Sequence, residues 1–132
     1  MLCKRFLNVF AVVSVLLCQE VGQGAVVPGF DSWTLPRSDD GSWQIHLGFN
    51  VNFFGQSYNT LWINNNGNVT FGSSLPAYTP VPLDSPTLPP IIAPFFADVD
   101  TRYAGDPVKY GWSWFGGRPA FGVTWANVDY FS

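Results

Sequence analysis

The 132-residue chain carries 6 basic and 9 acidic side chains, is 17% aromatic and only 11% charged. A formal net charge of −3 without any basic run excludes the electrostatic footprint of a nucleic-acid binder. The length allows one domain or part of one.

The first segment reads as an export signal. Lys4 and Arg5 form a basic head, residues 6–17 an apolar run, and "VGQGA" supplies small residues with a cut after Gly24 or Ala25. The run is shorter than the ~20 residues a membrane span needs, so a retained anchor is the lesser reading. Cys18 lacks the small preceding residues of a lipoprotein site. Both cysteines, Cys3 and Cys18, fall in this segment, so residues 25–132 have no disulfide, thiol chemistry or cysteine-bound zinc. Those residues retain four basic and eight acidic side chains, a charge of about −4, and all 6 tryptophans. Such a domain is held by packing, and each buried aromatic removes about 150–250 Å² from water.

The remaining chain reads as β throughout. In "QIHLGFNVNFFG", Ile45, Leu47, Phe49, Val51 and Phe53 alternate with Gln44, His46, Gly48, Asn50 and Asn52, the period of a half-buried strand. Gly55 and Gln56 turn the chain. "SYNTLWINNNGNVTFG" reads as a hairpin about a two-residue Asn66-Gly67 turn with both residues at positive φ. Its apolar face is Leu61, Ile63, Val69 and Phe71. Residues 73–90, rich in Pro and Ser, exclude a central strand or helix and read as a surface loop within the domain. "IIAPFFADVDTR" then begins as an apolar strand and ends in charge. A second hairpin follows, with Val108, Tyr110, Trp112 and Trp114 alternating before "FGGR" and Phe121, Val123 and Trp125 after it. The strand-like segment at Ser132 has no closing turn, so the domain is expected to be truncated at its C-terminus.

Three features together resemble the NIDO domain, the extracellular module of nidogen, alpha-tectorin and mucin-4-like proteins. They are "NNNGNVTF", "IAPFFADVDTR" and the later Trp125, within a match from about Phe49 to Phe131. The chain departs from the family in having Phe96 where "APFWAD" places Trp, and in ending before the family domain does. The resemblance implies an extracellular adhesion or matrix role. It transfers no active site.

The residues themselves leave several site readings. If the strand persists past Pro94, then Phe96, Asp98, Asp100 and Arg102 share one face. Adjacent carboxylates repel unless a cation lies near. The favoured reading is therefore a structural ion pair of Asp98 and Asp100 with Arg102. A calcium site using Asp98, Asp100 and Asp106 is the second reading, although the D-x-D-x-D-G loop spacing is missing. A glycosidase carboxylate pair is the third; catalytic pairs usually face each other across a cleft, and residues 25–132 contain no Glu. His46, the single histidine, reads as an exposed strand residue because zinc and triad partners are missing. Asn68-Val69-Thr70 is an N-glycosylation sequon. "WSWFGG" is either a sugar-stacking platform or core, and the shared face of Trp112 and Trp114 favours core.

The expectation is a signal peptide over 1–24 and an all-β, antiparallel, hairpin-built sandwich over 25–132. The domain is expected to be secreted, non-enzymatic and without a bound cofactor. It would bind extracellular-matrix or cell-surface proteins or glycans, not nucleic acid, and have no membrane span once the leader is removed. The alternative is a carbohydrate-binding or structural surface module accessory to a larger protein. N-terminal sequencing of exported material should begin at Ala25 or Val26; an intact Met1 on a cytoplasmic protein would overturn the export reading.

Overall fold

The structure is a computed structural model and describes residues 27–132. The expected leader, 1–24, lies outside the described residues. Among the described residues there is no helix, and none long and apolar enough to cross a membrane. Seven strands make two antiparallel sheets, confirming the all-β sandwich. One sheet orders β2 (Ser42–Phe53), β3 (Gln56–Asn64), β4 (Asn68–Thr70) and β5 (Ile91–Ile92). The other orders β1 (Trp33–Thr34), β6 (Lys109–Phe115) and β7 (Arg118–Thr124).

Period-two alternation builds the core between the sheets. Leu47, Leu61, Ile63, Val69 and Phe71 come from one side, and Tyr110, Phe121, Val123 and Trp125 pack from the other, with Leu35 and Val108 closing the cluster. On the outer face of the smaller sheet, Phe30 covers the centre. It sits over the cross-strand pair Gly111↔Gly122, where a Cβ on Gly122 would fall 2.5 Å from the Phe30 ring. β2 is an edge strand, and its register with β3 shifts between His46 and Val51. A bulge of this kind blunts an edge against pairing with other chains.

Two turns differ from the sequence reading. The β2–β3 turn is Phe54 and Gly55, one residue earlier than expected, and Phe54 itself has a φ of 48°. The β3–β4 turn spans three residues, 65–67, because Asn64 pairs with Asn68. Of the expected Asn66-Gly67 pair, only Gly67 has positive φ, at 80°. This is the loop in which one left-handed residue follows an ordinary turn.

The segment after β5 also differs. Pro94 ends the strand, and residues 93–98 follow no ladder. The single face proposed for Phe96, Asp98, Asp100 and Arg102 is therefore not built as a strand. The backbone is instead tied to the 65–67 turn: Phe95 N donates to Gly67 O at 3.4 Å and Ala97 N to Asn66 O at 3.3 Å. The Pro-rich loop belongs to the domain, since it leads into β5 and donates Leu75 N to Asn64 Oδ1 at 2.9 Å.

Gly67 meets two demands at once, positive φ and contact with residue 95. A Cβ there would land on the Phe95 carbonyl oxygen. Gly67→Ala should therefore cost more than the ~1–2 kcal/mol of a left-handed residue alone. A thermal melt checks this, and an unchanged Tm would refute the turn geometry.

Candidate functional site

The asparagine-rich β3–β4 turn is the most buried polar segment among the described residues. Asn64, Asn65, Asn66 and Asn68 are at most 1% exposed. A buried amide left unpaired costs about 1–3 kcal/mol per group, so each must find partners. Asn64 Oδ1 accepts from Ser42 Oγ at 2.7 Å and from Leu75 N at 2.9 Å, while its Nδ2 donates to Asn68 Oδ1 at 2.7 Å and Thr70 Oγ1 at 3.0 Å. Asn65 Nδ2 reaches the carbonyls of Ser38, Asp39 and Val99. Asn66 Oδ1 accepts from Val99 N at 2.8 Å, and its Nδ2 donates to Asp40 Oδ1 at 2.8 Å. Trp125 Nε1 donates to Asn65 O at 3.0 Å, tying the second sheet to the same turn.

This network draws residues 37–41 against residues 97–105. Thr101 N and Oγ1 both donate to Ser38 O at 2.9 Å. Arg37 donates to the carbonyls of Thr101 at 2.7 Å and Gly105 at 3.1 Å. The charged corner forms at this junction. Arg102 grips Asp100 in a fork: Nε to Oδ1 at 3.0 Å and an Nη to Oδ2 at 2.8 Å, with the Arg102 backbone N donating to Oδ1 at 2.9 Å. The same Nη lies 2.9 Å from Asp39 Oδ2. The rings of Tyr103 and Phe131 flank the guanidinium at 5.3 and 5.8 Å.

Asp98 is not an Arg102 partner among the described residues. Its carboxylate converges instead with those of Asp39 and Asp40, all within 4.8 Å. That corrects two groupings. The ion pair joins Asp100 and Asp39 to Arg102, without Asp98. The calcium trio of Asp98, Asp100 and Asp106 is not assembled either: Asp100 is committed to Arg102, and Asp106 lies beside Asn127, which reaches its Oδ2 at 3.4 Å. In the sequence, "SDDG" marks Asp39 and Asp40 as an acidic pair in a chain with little charge.

The titration of the corner follows its contacts. Hydrogen bonds from the Arg102 side chain, then from its backbone N–H, hold the Asp100 carboxyl below the ordinary carboxylate range. Burial pushes Asp39 up, opposed by Arg102 and reinforced by Asp100, Asp40 and Asp98. Asp39 Oδ1 is buried without a hydrogen-bond partner among the described residues.

The sequon residue Asn68 is buried. It is 0% exposed and its Nδ2 donates to Asn66 O at 3.3 Å, so a glycan on that nitrogen is incompatible with this fold. His46 is exposed, with Nδ1 accepting from Gly48 N at 3.1 Å. The "WSWFGG" reading also changes. Trp112 donates to Leu47 O at 2.8 Å and packs against Phe121, but Trp114 is 70% and Phe115 64% exposed. Phe54, at the other hairpin tip, is 94% exposed.

The described residues form a β-sandwich presenting exposed aromatics at two hairpin tips. The NIDO related family matches residues 22–132, and the chain belongs to that family of extracellular modules. It is similar to nidogen of Drosophila melanogaster, 31% identical over 122 residues, covering 74% of this chain and 9% of that protein. It is also similar to alpha-tectorin of Mus musculus and of Homo sapiens, 40% and 39% identical over 72 residues, in each case covering 54% of this chain and 3% of the relative. The chain therefore spans less than a tenth of the length of these relatives. No solved structure matches it.

Two stability outcomes follow from the corner. Asp100 has a folded pKa below its unfolded value, so its contribution is present at neutral pH and is lost as pH falls through the carboxylate range, below about pH 4. Asp39 has the opposite sign: its penalty is relieved as pH falls through its raised folded pKa, before the Asp100 contribution is lost. Arg102→Leu should lower Tm at pH 7 and leave a smaller difference from the wild type at pH 3. Equal differences at both pH values would mean that Arg102 acts through packing alone.

Proposed function

We propose that this chain is a secreted, non-enzymatic binding module acting in cell–matrix or surface adhesion. The observation that carries the reading is Phe54. A phenylalanine at positive φ pays a steric cost that Gly or Asn would avoid. Here that cost falls on a side chain that is almost entirely exposed, so core burial does not repay it. Strain kept on an exposed aromatic favours a contact made outside the chain. Trp114 and Phe115 at the second tip add large, low-entropy anchors of the kind that dominate protein interfaces. Membership of a family that includes nidogen and alpha-tectorin supports an extracellular partner, a matrix or cell-surface protein.

A carbohydrate-binding accessory role is the second reading, favoured by the exposed indoles of Trp33 and Trp114. The two are separated by competition. Free oligosaccharides should not displace the module from immobilised matrix if the partner is protein, and should displace it if the partner is glycan. The structural role proposed for Asp100 and Arg102 is compatible with both.

Phe54→Asn should raise stability by about 1 kcal/mol, because Asn tolerates the left-handed region. The same substitution should weaken binding to a cell-surface or matrix preparation, as should Trp114→Ala without loss of Tm. Full binding by both variants would overturn the assignment of the hairpin tips as the adhesive surface.

A further inference from the structure

Asn66-Gly67 is the single Asn-Gly pair in the chain, and both residues are buried in the β3–β4 turn. The pair is reactive as well as turn-forming. Once hydroxide has taken its proton, the Gly67 nitrogen can attack the Asn66 Cγ. The Cγ–Nδ2 bond then breaks, and that nitrogen takes a proton from water and leaves as ammonia. A five-membered succinimide ring remains, and water opens it at either carbonyl. Opening at Cγ gives aspartate. Opening at the backbone carbonyl gives isoaspartate, in which the main chain runs through Cβ and Cγ. The net reaction adds water, releases ammonia and needs no oxidant. Gly67 permits the attack because no Cβ crowds its nitrogen. Every other asparagine precedes a residue with a side chain.

The fold closes each part of this route. Gly67 N already donates its proton to Asn65 O at 2.9 Å. The Asn66 amide is gripped by three distant segments: Oδ1 accepts from Val99 N at 2.8 Å, while Nδ2 donates to Asp40 Oδ1 at 2.8 Å and to Ala77 O at 3.3 Å. The side chain is therefore not free to turn toward the Gly67 nitrogen. Asn66 is 1% exposed, which keeps out the water and hydroxide that the reaction consumes.

The same contacts decide what the products can do. An aspartate at 66 has no proton for Asp40 or for the Ala77 carbonyl, and it sets a second carboxylate against Asp40 in a buried site. An isoaspartate lengthens the main chain where Gly67 already abuts the Phe95 carbonyl. Neither fits the turn. We propose that Asn66 is a modification site that folding closes and unfolding opens, and that its deamidation blocks the return to the fold. Unfolding then becomes one-way at a rate set by the time spent open. The proposal rests on the buried turn and is independent of the adhesive reading.

The test holds the purified chain for equal times in mildly alkaline native buffer, in mildly alkaline urea and in mildly acidic urea. The peptide containing residues 64–68 is then weighed, and the urea samples are diluted to refold. Modification should be more than about a hundredfold faster in alkaline urea than in native buffer, because a protected site reacts only through its open fraction. The mass change separates Asn66 from isomerisation at Asp40-Gly41, which leaves the mass unaltered. The yield of chain with native Tm should fall in step with the modified fraction in alkaline urea and stay intact in acidic urea, where hydroxide is scarce. Gly67→Ala should slow the modification in urea, a readout that requires no folding. Equal rates in native buffer and urea would show that the turn gives no protection. Modified chain that refolds with the wild-type Tm, or equal losses of yield in acid and alkali, would show that deamidation is not the block. Any of these results overturns the proposal.

Discussion

The buried turn at residues 64–68 is the constraint on which the rest of this domain depends. Its four asparagine side chains are withdrawn from water in a fold that has no disulfide among its described residues. Each amide must be paired, because an unpaired polar group in a low-dielectric interior costs more than a hydrogen bond returns. Partners come from residues 38–42, from Leu75 and Ala77 and from Val99, all distant in sequence, while Trp125 bonds the Asn65 carbonyl. Asparagine suits the task because one side chain offers two donors and an acceptor with two lone pairs. Asn64 uses all of them. The polar network cross-links segments that a small secreted domain often joins through cysteine.

The charged corner is a consequence of that network. Asn65 holds the carbonyls of Asp39 and Val99 together, which brings Asp39 to the residues that carry Asp100 and Arg102. One guanidinium then serves two carboxylates unequally. Asp100 receives three hydrogen bonds from Arg102 and is held ionised. Asp39 receives a shared contact, faces further carboxylates and keeps one oxygen unpaired. The arrangement is organised for cohesion, and its aromatic flanks, Tyr103 and Phe131, lie at the surface.

Aromatic side chains have two roles here, and strand alternation alone does not separate them. Tyr110, Trp112 and Trp114 project from the same face of β6. The first packs on the core, the second reaches β2 through Leu47, and the third is exposed. What differs is whether the opposing sheet extends far enough to cover each position.

Much of the architecture was legible in the chain. Alternation over residues 44–53 and 108–125, the glycine turns and the family resemblance identified the all-β sandwich and its hairpins, because apolar periodicity and turn chemistry act over a few residues. Sequence also concentrated attention on Asp100 and Arg102, two positions apart. It could not supply Asp39, more than sixty residues from Arg102, nor separate Asp98 from the pair. It identified the asparagine run as a turn and Asn68 as a sequon without showing that either is buried, and it read Trp114 as core. Each of those depends on what other segments place on top of a residue. Local pattern determined which way side chains point along a strand; the tertiary structure alone decided which of them are covered, because burial comes from chain brought in from far along the sequence.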